Sequence, residues 1–438
     1  MVACTDDIVN QVCTTFKEAA GLSVQCVTLF DPHFGRLNLL RWRASLVNHD
    51  EERSTEMNVR TWFQYVLWAC FLWGNFGLGA RADMFRVYIG TYTGSGSQGI
   101  YVAEFDAETG RLSKPRLAAE AVNPSFLAIH PTGKYLYAVN ETADFEGKKS
   151  GALTAFAIDQ ESGRLKPLNQ VASAGAAPCH LVVDQAGNTL LTANYTGGNV
   201  SLRAIESDGR LGKQTDFHQH EGTSDNLSRQ EAPHAHSINL DAQNEFAFVA
   251  DLGTDEVVVY RFDADKQKLS RAGAAAVEPG SGPRHFSFHP SGKTAYVINE
   301  LKSTVNAFQY DPERGQLKKI QTISTLPSDF DGTSYTAEVV VHPSGKFVYG
   351  SNRGHDSVAC YTVDADTGLL TLVEVEPTGG KTPRNFAIDP TGKYLFAENQ
   401  GSDSIVLFEI DLATGKLQPT GQQVAVPTPV CVKFLPLD

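Results

Sequence analysis

The stretch GPRHFSFHPSGKTAYVINELKSTV, residues 282–305, reads as a β-hairpin. Alternating apolar residues flank a Gly-containing turn, and the second strand ends on an Asn–Glu pair. It also carries Arg284, His285 and His289, which no hairpin requires. The same order of proline, strand, His or Asp, turn, strand and Asn recurs in NPSFLAIHPTGKYLYAVNE (123–141), APCHLVVDQAGNTLLTANY (177–195) and TPRNFAIDPTGKYLFAENQ (382–400). TAEVVVHPSGKFVYGSNR (336–353) replaces the proline with Thr336, and PHAHSINLDAQNEFAFVAD (233–251) is one residue longer. The hairpin is one unit of a repeat, and the repeat decides the architecture.

A second signature keeps the same beat. Asp106, Asp159, Asp263, Asp311, Asp364 and Asp411 each open a run such as DAETGRL, and ESDGRL from Glu206 is a shortened copy. Units roughly fifty residues apart are too long for one hairpin and right for a four-stranded meander. Val, Ile, Tyr and Phe alternate as in half-buried strands, and no long stretch has a helical period. The expected fold is all-β: a seven-bladed β-propeller of four-stranded antiparallel blades. The last copy, PVCVKFLP from Pro429, stops after one strand, while VYIGTY (87–92) matches a second strand. One blade is therefore expected to be shared by the N- and C-terminal strands, making 84–438 a single domain.

The chain has 438 residues, 42% of them hydrophobic, ample for a core. A formal charge of −13 argues against a nucleic-acid partner, although one local anion pocket is compatible with it. Of seven cysteines, Cys179, Cys360 and Cys431 are scattered through the repeats. They form neither a disulfide framework nor paired zinc ligands and are expected as small core residues. Residues 1–83 stand apart as a non-propeller leader. Within it, 57–82 has a basic Arg60, an apolar run over Trp62–Trp73 and an Ala80-Arg81-Ala82 site, the layout of a secretory signal peptide. The apolar run is short for a membrane span. Translation from Met57 predicts a periplasmic or secreted protein. Translation from Met84 makes the leader an upstream start-site artefact and the protein cytoplasmic. In both cases the mature chain starts near Asp83 or Met84, without a membrane segment.

The propeller sorts polar residues by face. His130, His289 and His342 align with Asp184, Asn239 and Asp389 at the hairpin turn, where such side chains satisfy turn backbone groups. The opposite face, around the channel mouth, varies. After the blade-opening proline come Ser125, Cys179, His234, Arg284 and Arg384, with Ala337 in the Thr336 copy. Next come His180, His285, Glu338 and Asn385, and then His236. Where second strands end stand Glu141, Tyr195, Asp251, Glu300, Arg353 and Gln400, with Tyr92 in the shared blade. The preceding Asn140, Asn194, Asn299, Asn352 and Asn399 vary little and read as loop-stabilising. Unlike groups gathered at one opening of a symmetric scaffold make a pocket.

Histidine or glutamate beside arginines suits acid/base chemistry on an anionic ester or lactone. Arginine would hold the anion and polarise the carbonyl while His or Glu activates water. There is no Gly-x-Ser-x-Gly elbow, phosphate loop or dinucleotide fingerprint, so neither a serine nucleophile nor a cofactor is expected. Glu141, Asp251, Glu300 and Glu338 offer calcium ligands, but the arginines in the same mouth oppose a metal. A non-enzymatic propeller scaffold that binds a protein or glycan is the reading of a different class.

APHAHSINL, the 282–305 stretch, SNRGHDSV and TPRNFAIDPTGKYLFAENQ together resemble the seven-bladed lactonase family. That family includes propeller-type 6-phosphogluconolactonase and the fungal 3-carboxy-cis,cis-muconate lactonizing enzyme. The resemblance covers essentially all of 84–438 and none of 1–83. It implies lactone hydrolysis, 6-phosphogluconolactone foremost, or, in the other branch, cycloisomerisation of a carboxylated muconate. The catalytic set it implies falls on His236, Arg284, Glu300 and Arg353, with His236 or Glu300 as acid/base and the arginines on the anion or carbonyl. His234, His285, Glu338, Arg384, Glu141, Tyr195 and Gln400 are the expected substrate-binding neighbours. The implied partner is a small anionic lactone, and no oligomeric state follows from the sequence.

Overall fold

The computed structural model describes residues 83–437 apart from Ser95, so the signal-like segment 57–82 lies outside the described residues. Seven antiparallel sheets follow one another along the chain, most in simple first-to-fourth strand order. The first strands are Leu127–Ile129, Pro178–Val183, Ala235–Leu240, Pro283–Phe288, Tyr335–Val341, Pro383–Ile388 and Pro429–Pro436. Pro429–Pro436 pairs with Met84–Thr91, with Val87 opposite Phe434, and Met84–Thr91 pairs onward with Gly99–Asp106. The chain ends thus share the blade that closes the ring, as the repeat implied. Its outer edge is split into Arg111–Leu112 and Arg116–Glu120. The only helix among the described residues is a 3-10 turn, Gln400–Ser402.

Each sheet is covered on both faces by its neighbours, so inner strands read as continuous apolar runs rather than alternating ones. Every residue of Phe246–Asp251 and of Thr294–Asn299 is buried. The outer strand Lys268–Ala276 is mostly exposed. The core lies between blades: Phe248 stacks on Phe286 of the next blade with ring centroids 5.3 Å apart, and Tyr310 meets Phe248 edge-on.

Two latches repeat between blades. Second-strand tyrosines Tyr88, Tyr137, Tyr296 and Tyr349 donate to the carbonyls of Gly163, Gly209, Gly368 and Gly415 at 3.1, 3.0, 2.9 and 2.7 Å. Gly209 has φ +82°, and a Cβ there would fall 2.3 Å from the Tyr135 ring, so conformation and space both demand glycine. The turn histidines form the second latch. His130, His289 and His342 place Nε2 2.9, 2.8 and 2.7 Å from the carbonyls of Gly187, Gly345 and Gly392 in the next blade. They are structural, as expected. Asn239 is not the equivalent residue: the first strand opens at Ala235, two residues after Pro233, and pairs it with Asp251 as Pro178 pairs with Asn194, so Asp241 takes the turn position, accepting from the amides of Glu245 and Phe246. The rim asparagines hold loops, Asn140 donating to Val122 O and Asn352 to Thr325 O.

Candidate active site

A β-bulge at the start of the first strands builds the site. Pro283 pairs with Asn299 and His285 with Ile298, leaving Arg284 as the extra residue. The same shift leaves Arg384 between Pro383 and Asn385, Cys179 between Pro178 and His180, and His236 between Ala235 and Ser237. A bulge re-aims the extra side chain, so consecutive residues such as Arg284 and His285 both reach the central cavity. His236 therefore shares its position with Arg284 and Arg384 rather than standing one place further on.

Glu300 is the hub of one wall. Its Oε2 lies 2.8 Å from Arg353 Nη2 and 3.2 Å from Arg284 Nε, and its Oε1 accepts from Arg229 Nη2 at 2.6 Å. Arg284 Nε faces the carboxylate off its N–H axis, so that contact is ionic, while Arg284 Nη1 donates to Ala337 O at 2.6 Å. Burial alone would raise the Glu300 pKa, but Arg353, Arg284 and Arg229 outweigh it and hold it at about 2. A carboxylate so gripped is a poor proton acceptor. It is a clamp that sets the arginines.

The facing wall is Tyr92, Glu141, Ser125 and Arg384. Tyr92 Oη donates to Glu141 Oε2 at 2.7 Å and accepts from Arg384 Nη2 at 3.1 Å, and Ser125 Oγ donates to the same carboxylate oxygen. Burial pushes the Tyr92 hydroxyl pKa up, keeping it a donor. Between the walls lie His236 and Cys179, with Sγ 3.8 Å from His236 Nδ1. Burial, then Arg284, His285 and Arg384, push His236 well below its usual 6.5, so it stands neutral as a proton acceptor. Cys179 is inert by contrast, since burial raises its thiol pKa.

Deeper in the channel His285 Nδ1 donates to Glu338 Oε1 at 2.9 Å, and Asn385 Nδ2 donates to Oε2. Beside this trio the His180 ring lies tilted by 33° to Phe126 with centroids 4.2 Å apart, and 5.5 Å from the His285 ring. His234 stacks on Tyr195 at 4.5 Å, outside the cavity lining. Gln400 starts the 3-10 turn, and its side chain makes no hydrogen bond among the described residues.

The cavity, about 10 Å³, thus brings together His236, Arg284, Arg384, Glu141 and His285 of the expected set. Glu300 and Arg353 stand directly behind Arg284, and Glu338 behind His285. Arg229 was not read from the sequence, because it lies in a connection between blades and has no counterpart in the repeat. The four acids do not form a cation cage. Glu141 is taken by Tyr92 and Ser125, Asp251 by His220 at 2.6 Å, Glu300 by arginines and Glu338 by His285.

Known proteins resemble this chain over the same span. A family model described as lactonase, 7-bladed beta-propeller, matches residues 86–434. The 6-phosphogluconolactonase of Bacillus subtilis (strain 168) is 40% identical over 348 residues, spanning 80% of this chain and 97% of the relative. The 6-phosphogluconolactonase of Formosa agariphila is 37% identical over 309 residues, 69% of this chain and 86% of the relative. Among solved structures, the Pseudomonas aeruginosa periplasmic gluconolactonase has a TM-score of 0.76 at 31% identity, covering 81% of this chain and 100% of that one.

Proposed function

This chain belongs to the seven-bladed β-propeller lactonase family, and on that premise we propose that it hydrolyses a sugar lactone bearing an anionic group, 6-phosphogluconolactone foremost. The name shared by its relatives from Bacillus subtilis and Formosa agariphila supports that substrate. The observation that carries the mechanism is a neutral, buried His236 lining the same cavity as the guanidinium groups of Arg284 and Arg384.

In this reading the lactone carbonyl lies against Arg284 and Arg384, which draw electron density onto its oxygen. His236 takes a proton from water as the water oxygen bonds to the carbonyl carbon. The carbonyl π pair moves to oxygen and is held by the two guanidinium groups. When the carbonyl re-forms, the bond to the ring oxygen breaks and that oxygen receives the proton from His236. The net change is addition of one water, giving the open-chain acid. Glu300 and Arg353 keep Arg284 in place, and Glu141 with Tyr92 does the same for Arg384.

The test is acid release from fresh 6-phosphogluconolactone, followed against its spontaneous hydrolysis. Acceleration by the wild type, lost in folded Arg284→Ala and His236→Asn variants, supports the assignment. Full activity in both variants removes the site. A loss of 3-carboxymuconate absorbance without lactone hydrolysis transfers the chain to the cycloisomerase branch.

A further inference from the structure

Most connections from one blade's last strand to the next blade's first are short, such as 173–177 and 378–382, but residues 220–234 form a long one. Chain entropy opposes ordering such a loop, and this one is held by its own bonds. Gln230 is fully buried and donates from Nε2 to Leu252 O at 2.8 Å. Its Oε1 accepts from the Asn226 amide at 2.9 Å, and the amides of Arg229 and Gln230 donate to Asn226 O at 2.9 and 2.6 Å. The outcome of this bracing is the placement of one side chain, Arg229.

Arg229 Nη2 is shared between Tyr195 Oη at 3.2 Å and Glu300 Oε1 at 2.6 Å. Its Nε and Nη1 have no acceptor among the described residues, and the side chain is 35% exposed. Both groups it touches adjoin residues that line the cavity. Glu300 holds Arg284, and the Tyr195 ring meets His236 edge-on at 5.2 Å. Arg229 therefore stands one residue back from Arg284 and His236, on the solvent-exposed side of Glu300. Across the site four arginines, 229, 284, 353 and 384, accompany two carboxylates, Glu141 and Glu300, leaving two positive charges in a chain whose total is −13. An excess of two matches a phosphomonoester, which carries close to two negative charges at neutral pH.

Building on the lactonase reading, we infer that Arg229 is the phosphate-reading residue of the site. With the lactone carbonyl at His236, Arg284 and Arg384, the far end of the sugar meets the open Nε and Nη1 edge of Arg229, the fork geometry that grips phosphate oxygens in pairs.

The experiment compares 6-phosphogluconolactone with glucono-δ-lactone in full-length wild type, Arg229→Gln and Arg229→Lys. For Arg229→Gln, KM for the phosphorylated substrate should rise roughly ten- to a hundredfold. The loss on the unphosphorylated lactone should be at least about tenfold smaller, and Arg229→Lys should recover part of the difference. Competitive inhibition by inorganic phosphate should weaken in parallel. Equal losses on both lactones would overturn the inference and leave Arg229 as a support for Glu300. A wild type that does not discriminate between the lactones would also overturn it, with lactone hydrolysis intact. A wild type inactive on both defeats the functional reading itself.

Discussion

Arg353 and Glu300 meet at 2.8 Å, Nη2 to Oε2, in a pocket where the carboxylate is almost fully buried. The same carboxylate also receives Arg284 and Arg229, so its removal strands three guanidinium groups. Glu300→Gln should destabilise the protein by roughly 3–5 kcal/mol, read as a lower urea midpoint at unchanged slope, and should abolish most activity. A variant with wild-type stability and a selective loss of kcat would return Glu300 to the role of proton carrier.

His236 should carry the proton instead. His236→Asn is expected to lower kcat by roughly 10²–10⁴ with the fold retained. A base whose pKa is depressed keeps its neutral form into acid, so the acid limb of kcat/KM should lie below pH 6.5. An acid limb centred at or above 6.5 would exclude His236 as that base.

Much of this was legible before any coordinates. Backbone signals recur at fixed spacing because every blade needs the same turns, and this separated the turn histidines from the rim. The register of one blade was not legible. Its first strand opens at Ala235 rather than at Pro233, and this offset carries both His236 into the Arg284 position and the turn role from Asn239 to Asp241. Counting from the proline hid it. Arg229 was hidden for a related reason: blade connections are free of the repeat, so a functional residue placed there has no copies to stand out against. The role of Glu300 was ambiguous because it depends on three arginines brought together from widely separated positions.

Glu398 points to a pH effect of opposite sign from Glu300 and Glu338. It is fully buried, and both its oxygens lack partners. Burial, with Glu338 nearby, raises its pKa well above 4.5. The folded state therefore binds a proton that the unfolded chain releases above about pH 4.5, so this residue's contribution to stability falls as pH rises. Glu398→Gln should raise Tm at pH 8 more than at pH 5. A uniform shift at both pH values would show that Glu398 does not titrate with folding.

Glu300 works the other way. Its contribution is present above about pH 4.5 and fades as pH falls towards 2. Acid unfolding of the wild type should steepen in that window, and Glu300→Gln should flatten the profile there.

The inter-blade tyrosines give a smaller, local prediction. Tyr349→Phe leaves the Gly415 carbonyl only the weak Cys360 thiol donor and should cost about 1 kcal/mol. Activity should be unaffected, because this latch lies on the face away from the cavity. Urea denaturation alongside lactone turnover checks both halves.

The pairing of Met84–Thr91 with Pro429–Pro436 also sets a timetable for biosynthesis. One of these strands leaves the ribosome before the other six blades and the other after them. Until Pro429–Pro436 is made, the nascent chain carries an incomplete first sheet with an open strand edge, the kind of surface that recruits other chains. Truncation ahead of Pro429 should therefore yield insoluble product rather than a slightly weakened enzyme.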